Sequence, residues 1–360
     1  MAPAWPICAV ADDLTGALDS TVAFANRGLR VAVATRPGAL DEAMGNPWDV
    51  IAVNSDTRDA SPEDAAAIVF RLGRDLAKAG GLIIKKIDSR LKGNICVETA
   101  ALLRATGRTR LIVSPAVPAL GRFVRGGCMV GAGIAEPLPI AAILPRCDGV
   151  ARINDIARNE DLAAIAAELV ASRHDTIGVG AAGLTSAIAR HLGPTPAAVD
   201  PTIPLAGPVL FLIGSRDPVT MRQIAFVRRH RPDIAYVRST GEGDDPPGGP
   251  GHLLVHGVGG QGASPSREVA QRLGERGALL LKTGRFAAVV ACGGDTAACL
   301  VKAVEARVLR PRTEPLPGVP TCRIDLGGEA VTLLTKSGGF GGPDTLGQMA
   351  AGRDAWLRPS

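Results

Sequence analysis

Short runs that are apolar on both faces recur along this chain, each followed by residues with helical spacing. In the first half the runs fall at 7–11, 31–35, 50–54, 82–87 and 111–114. Helical patterns such as 16–27, 62–79 and 95–105 lie between them. A strand hydrophobic on both faces must be covered on both, as in a parallel sheet layered with helices. Strands alternating with helices therefore predict an α/β protein with right-handed crossovers. The 360 residues are enough for two such domains. Residues 194–208 hold five prolines and break the pattern, so they are read as a linker between domains spanning 1–200 and 208–360. The second half restarts with strands at 209–213, 234–238, 253–256 and 288–292 and helices at 218–230, 266–282 and 295–308. A hairpin over 322–325 and 330–334 and a last helix over 343–357 complete it.

Several function classes fall away on composition. Aromatics are 3% of the chain, too few for base-stacking platforms, and the net charge of +5 is spread without a basic run. No nucleic-acid partner is expected. The seven cysteines form no CxxC pair, which points to reduced cytosolic thiols rather than a zinc cage or disulfide framework. No apolar stretch approaches a membrane span, and the N-terminus lacks a basic leader, so a cytoplasmic protein with no membrane partner is expected.

Chemistry concentrates where strands end, which is where open parallel sheets bind ligands. Asp12 and Asp13 follow the first strand and precede a helix. One of them would serve as a helix cap; two adjacent acids also suit hydroxyl or metal recognition. After the fourth strand comes KKIDSRLKGN, residues 85–94, with Lys86, Asp88, Ser89 and Arg90. Cations there suit a carboxylate or phosphate, although such a run also fits an exposed turn. The loop after Ser114 carries Arg122 and paired glycines but is weak alone. In the second half, Gly214-Ser215-Arg216-Asp217, Gly293-Gly294-Asp295-Thr296 and the stretch from Lys336 through Gly338 and Gly339 to Gly342 are turns whose backbone N–H groups can cradle an anion. Asp295 or Thr296 could equally be a plain cap.

Other signals weigh less. No Gly-Lys pair exists, hence no Walker A loop. Residues 257–262 match GxGxxG, but the ribose-binding acid expected about 20 residues on is missing; a nicotinamide dehydrogenase remains a rival reading. His252 and His256 share a strand face without a third metal ligand.

Taken together, ADDLTGALDS (11–20), KKIDSRLKGN (85–94), SPAVPALGR with the following GG (114–127), GSRDPVTMRQI (214–224), CGGDTA (292–297) and TKSGGFGGPDTL (335–346) resemble the four-carbon acid sugar kinase family. The motifs come in the family's order and span nearly the whole chain. The resemblance implies ATP-dependent phosphorylation of a threonate, erythronate or oxo-tetronate at its terminal hydroxyl, with Mg²⁺. It also implies an N-terminal sugar-acid domain, a C-terminal nucleotide domain and a ligand cleft between them; a homodimer and a non-catalytic sugar-acid-binding protein on the same fold are kept as further readings. Asp12, Asp13, Lys86, Asp88, Ser89 and Arg90 fall on the sugar-acid side. Ser215, Gly293, Gly294, Asp295, Thr296, Gly338 and Gly339 fall on the ATP side, with Lys336 beside the phosphates. Asp13 and Asp88 are both candidates for the catalytic base, and the metal ligands are not specified. Asp217 stands where the family usually has a second Ser, a departure expected to touch nucleotide contacts.

Overall fold

The apolar runs do become parallel strands. The computed structural model describes residues 5–144, 151–193, 207–239, 250–259 and 266–351, and the chain divides into two compact units, 1–199 and 200–360. The first unit contains β1 (Ile7–Ala11), α1 (Leu14–Ala25), β2 (Val31–Ala34), α2 (Leu40–Met44), β3 (Val50–Asn54), α3 (Pro62–Ala77) and β4 (Leu82–Lys86). It continues with α4 (Ile95–Thr106), β5 (Arg110–Ser114), β6 (Arg122–Arg125), β7 (Cys128–Gly131), β8 (Leu138–Pro139), β9 (Ala151–Ile153), α5 (Asp161–Ala171), β10 (Thr176–Gly180) and α6 (Ala182–Leu192). Its strands lie in the order β2-β3-β1-β4-β10-β5-β9, all parallel. The strands β1 to β4 are buried along their whole length, as their two-sided hydrophobicity requires.

Register sets where the loops meet. Ala11 pairs with Asn54 on one side and Lys86 on the other, so β1, β3 and β4 end level. The chain leaves β1 toward β3 and β2, then returns to β4 on the far side. That reversal of direction opens a crevice outside the carboxyl end of β1.

The second unit repeats this wiring. It contains β11 (Val209–Ile213), α7 (Pro218–His230), β12 (Ile234–Ser239), β13 (His252–Gly257), α8 (Ser266–Leu281), β14 (Ala288–Cys292), α9 (Gly294–Ala303), β15 (Val308–Leu309), β16 (Thr321–Leu326), β17 (Glu329–Lys336) and α10 (Thr345–Ala351). The sheet order is β12-β13-β11-β14-β17-β16, with only β16 antiparallel. Again the first strand is central, and Ile213, Cys292 and Lys336 end level.

Among the departures from the sequence expectation, three bear on how the sheets are built. The expected helix 295–308 stops at Ala303, because Glu305 adopts a left-handed φ of 57°. Ala306 N–H then bonds to Val301 C=O (3.0 Å) and Glu305 N–H to Lys302 C=O (3.1 Å), a Schellman closure. The strand β10 was not expected, since Gly178 and Gly180 give its sequence TIGVG little strand propensity. Those glycines are packing requirements: a Cβ on Gly180 would lie 2.4 Å from the Ser114 carbonyl oxygen. The third is a small antiparallel sheet, β6-β7-β8, built from the loop after Ser114. Most of the expected linker, residues 194–206, lies outside the described residues.

Candidate active site

At the carboxyl end of β1, Asp12 and Asp13 take different jobs. Asp13 is the N-cap of α1: its Oδ1 accepts from Gly16 N–H (2.7 Å) and its Oδ2 from the Thr15 hydroxyl (2.9 Å). Asp12 is buried and clamped by Arg58 from the loop after β3, with Nε on Oδ2 at 2.8 Å and Nη2 on Oδ1 at 3.0 Å. The third guanidinium nitrogen, Nη1, donates to Asp13 Oδ2 at 2.6 Å. Burial alone would raise the Asp12 pKa. Arg58, with Lys85 and Lys86 behind it, reverses this and holds the carboxyl below its ordinary range. Burial likewise works against the charge on Arg58, but Asp13 and Asp12 overcome it and its pKa is raised. Gly93 closes the same corner; a Cβ there would meet Asp12 Oδ2 at 2.9 Å.

Arg58 was not among the residues singled out from the sequence. A lone arginine in SDTRDA carries no motif. Its signal is positional, because β3 ends level with β1 and its loop must reach the two acids.

The loop after β4 supplies the cations. Lys86 is buried, with its ammonium donating to Ile87 C=O at 3.1 Å. It also faces α1, where a Cβ on Gly16 would sit 3.1 Å from Lys86 Nζ. Asp88 Oδ1 accepts from Arg90 N–H at 2.7 Å, folding the loop into an Asx turn. Leu91 follows with a left-handed φ of 57°, strain kept at the site's rim. Arg122, from β6, donates to Ser89 Oγ at 2.7 Å. A Cβ on Gly133 would lie 3.7 Å from Arg90 Cδ and 3.8 Å from Arg122 Nη2, so the two arginines share one neighbourhood. Lys85 has a structural partner instead: its ammonium is 2.7 Å from Glu98 Oε2, both side chains fully buried.

The second unit gathers backbone rather than charge. The loops after β11, β14 and β17 touch: Cβ atoms on Gly214, Gly293 and Gly338 would lie 2.1 Å from Thr296 Oγ1, 3.4 Å from Ser215 N and 2.0 Å from Ser215 Oγ. Gly293 has a φ of 112° and immediately precedes α9, which begins at Gly294 and carries Asp295 and Thr296 in its first turn. The glycine loop is tied to α7: Thr220 Oγ1 donates to Gly338 C=O (2.7 Å), and Gln223 Nε2 to Phe340 and Gly342 C=O (2.9 Å each). Lys336 is fully buried and donates to Ser337 C=O at 3.0 Å. Burial lowers its pKa, against the pull of Cys292 and Asp217. The structure therefore makes Lys336 a brace of the loop. Gly339 sits half-buried beside Gly338 in that loop. Asp217 caps α7 through Val219 N–H (2.9 Å), so its departure from the expected Ser leaves a conventional helix start.

Of the GxGxxG stretch, residues 260–262 lie outside the described residues. Gly257 is needed for packing, since a Cβ would meet Leu273 Cδ1 at 2.5 Å. The two strand histidines are spent on local bonds: His252 Nδ1 accepts from Val209 N–H, and His256 Nδ1 meets the Tyr236 hydroxyl. Among the described residues no helix is long and apolar enough to cross a membrane.

Two family models match the chain: a sugar-binding N-terminal domain over residues 7–142 and a nucleotide-binding C-terminal domain over 256–346. The D-threonate kinase of Cupriavidus necator is 30% identical across 94% of this chain and 95% of its own length. The chain belongs to the four-carbon acid sugar kinase family. A second relative, the D-threonate kinase of Bordetella bronchiseptica, is 29% identical over 94% of this chain and 95% of its own. A solved structure from Salmonella typhimurium LT2 shares the fold with a TM-score of 0.72 at 18% identity, covering 97% of this chain and 99% of that one. Within the family's sugar-binding stretch lie Asp12, Asp13, Arg58, Lys86 to Arg90 and Arg122; within its nucleotide-binding stretch lie Gly293 to Thr296 and Lys336 to Gly342.

Proposed function

We propose that this protein transfers the γ-phosphoryl group of ATP to the terminal hydroxyl of a four-carbon sugar acid, D-threonate being the first candidate. One observation carries the reading. Two units with the same wiring place opposite chemistries at their switch points: side chains of both signs beyond β1, and glycine backbone beyond β11 and β14. A sugar acid needs a cation for its carboxylate and acceptors for its hydroxyls. A polyphosphate needs N–H groups and room for close approach.

On this reading, the unit within 1–200 takes the sugar acid and the unit within 208–360 takes the nucleotide. Lys86 and Arg90, helped by Arg122, meet the carboxylate. Asp12, Asp13, Asp88 and Ser89 hold hydroxyls. Asp13 and Asp88 already accept backbone hydrogen bonds, which suits them to orienting a hydroxyl more than to removing its proton. Ser215, Gly293, Gly294, Asp295, Thr296, Gly338 and Gly339 line the phosphates, and Lys336 stiffens their loop.

Mg²⁺ belongs with the nucleotide. Among the described residues no three metal-ligating side chains gather into a cage, which fits an ion carried mainly by phosphate oxygens and water, with at most one carboxylate such as Asp295 or Asp217. When bound, it neutralises the charge of the transferring group. An ATP-dependent reaction and reduced thiols suit the cytoplasm.

The test is ADP release with ATP–Mg²⁺ across a panel of threonates, erythronates and oxo-tetronates. Turnover with at least one acid is expected. No ADP above background with any of them overturns the proposal.

A further inference from the structure

Four carboxylates gather around the crevice beyond β1, and three are already engaged. Asp12 is clamped by Arg58, Asp13 caps α1 and meets Thr15 and Arg58, and Asp88 accepts from the Arg90 amide. The fourth is Asp19 on α1, which was not singled out in the sequence. It stands three positions after Gly16, so the two share a face of the helix. Gly16 contributes no side chain there; a Cβ would meet Asp13 Oδ1 at 2.5 Å and Lys86 Nζ at 3.1 Å. Asp19 is half-buried, and no described residue donates a hydrogen bond to its carboxylate.

The charged groups that face it are Lys86 from β4, Asp13 from its own helix cap and Arg122 from β6. The helix α6 also packs on α1, but it carries Arg190 and His191 in its last turn. Burial raises the Asp19 pKa to about 6; Lys86 and Arg122 oppose that rise and Asp13 adds to it. A base acting on a hydroxyl needs an uncommitted lone pair and a pKa near the working pH.

Resting on the kinase reading above, we propose that Asp19 is the proton acceptor of phosphoryl transfer, presented on the Gly16 face of α1 beside Lys86. As the bond from the sugar-acid oxygen to the γ-phosphorus forms, the bond from that phosphorus to the β,γ-bridging oxygen breaks. Its electron pair leaves on ADP. The hydroxyl proton passes to an Asp19 oxygen and from there to water. Gly16 keeps the space beside Asp13 Oδ1 and Lys86 Nζ open, so Asp13 can orient the hydroxyl while Asp19 takes its proton.

Asp19→Asn tests this with shape conserved. With an acid that the wild type phosphorylates, kcat should fall by ~10²–10⁴ while KM changes little. The wild-type kcat/KM should decline below about pH 6, and that acid limb should vanish from the variant's residual activity. A raised pKa means that ionised Asp19 opposes folding above about pH 6, so the variant should melt no lower than wild type at alkaline pH. A merely structural carboxylate would melt lower when replaced and leave the acid limb in place. A variant kcat within about tenfold of wild type, or an unchanged acid limb, overturns the assignment. Should the variant fail to fold, a wild-type kcat/KM that stays flat between about pH 5 and pH 8 overturns it alone. If the wild type phosphorylates no acid in the panel, the kinase reading fails and takes this assignment with it. An active wild type beside an unimpaired Asp19→Asn removes Asp19 only.

Discussion

The two units are wired alike and furnished differently. In one, β2-β3-β1-β4 surrounds a switch point lined by Arg58, Lys86, Asp12 and Asp13; in the other, β12-β13-β11-β14 surrounds one lined by Gly214, Gly293 and Gly338. Wiring fixes where a ligand goes; the loops fix which ligand. The difference also has a mechanical side. The first site is held in shape by ion pairs among its own charged side chains. The second is held from behind, by Thr220, Gln223 and Lys336 gripping carbonyls of the glycine loop.

The sharpest way to break this comparison is Arg58→Ala. It leaves buried Asp12 without its fork and Asp13 without its cation, with only the Gly16 and Thr15 bonds remaining. Activity should fall by roughly 10³-fold or more, because both acids proposed to hold hydroxyls lose their geometry. Stability at pH 7 should drop by roughly 2–3 kcal/mol, less than for a fully buried pair, since solvent reaches a quarter of the arginine side chain. The sign with pH follows from Asp12. With Arg58 present its pKa is depressed, so its contribution is present above the ordinary carboxylate pKa and fades as pH falls. Without Arg58 burial dominates, so the deficit should deepen as pH rises; denaturant melts at two pH values check this. Nucleotide binding by the variant should be unchanged.

Gly338→Ala should give the mirror result. Its Cβ would collide with Ser215 Oγ and come within 3.1 Å of Asp217 Cβ, neither of which is a long flexible group. ATP affinity by calorimetry should weaken at least ~10-fold, and sugar-acid affinity should not move. Weakened sugar-acid binding with intact ATP binding would invert the proposed division of labour.

The smallest effect sharpens a detail. Asp217→Asn should be nearly silent in thermal stability, whereas Asp217→Ala should cost about 1 kcal/mol, as for loss of a helix cap. A large loss of ATP turnover in Asp217→Asn would show that the charge, not the cap, matters there.

Much of this was legible before any coordinates. Five apolar runs announced the first strands, and the acids and cations behind them stood out because they interrupt hydrophobic segments at strand ends. Legibility failed where a role depends on distant register. Arg58 is 45 residues or more from the acids it clamps, and Gln223 lies 117 residues from the carbonyl it holds. Asp19 hid for another reason: on a helix, an acid between an alanine-leucine pair and a serine reads as a solvated position until its neighbours are known. The strand β10 was masked by its glycines, whose value lies entirely in what packs against them.

That late strand has a consequence for how the protein is made and cut. β10 lies between β4 and β5, yet it is synthesised some sixty residues after β5. A nascent chain that has released β5 holds two strands with unpaired edges and a gap exactly one strand wide between them. Such edges invite pairing with other chains. The sheet closes only when residue 180 is free of the ribosome, and α6 then covers it. A sugar-binding fragment trimmed at residue 142, where the family's first domain model ends, would carry that gap permanently. The smallest piece with a continuous sheet runs through β10, to residue 180, and the smallest that also covers it runs through α6, to residue 192.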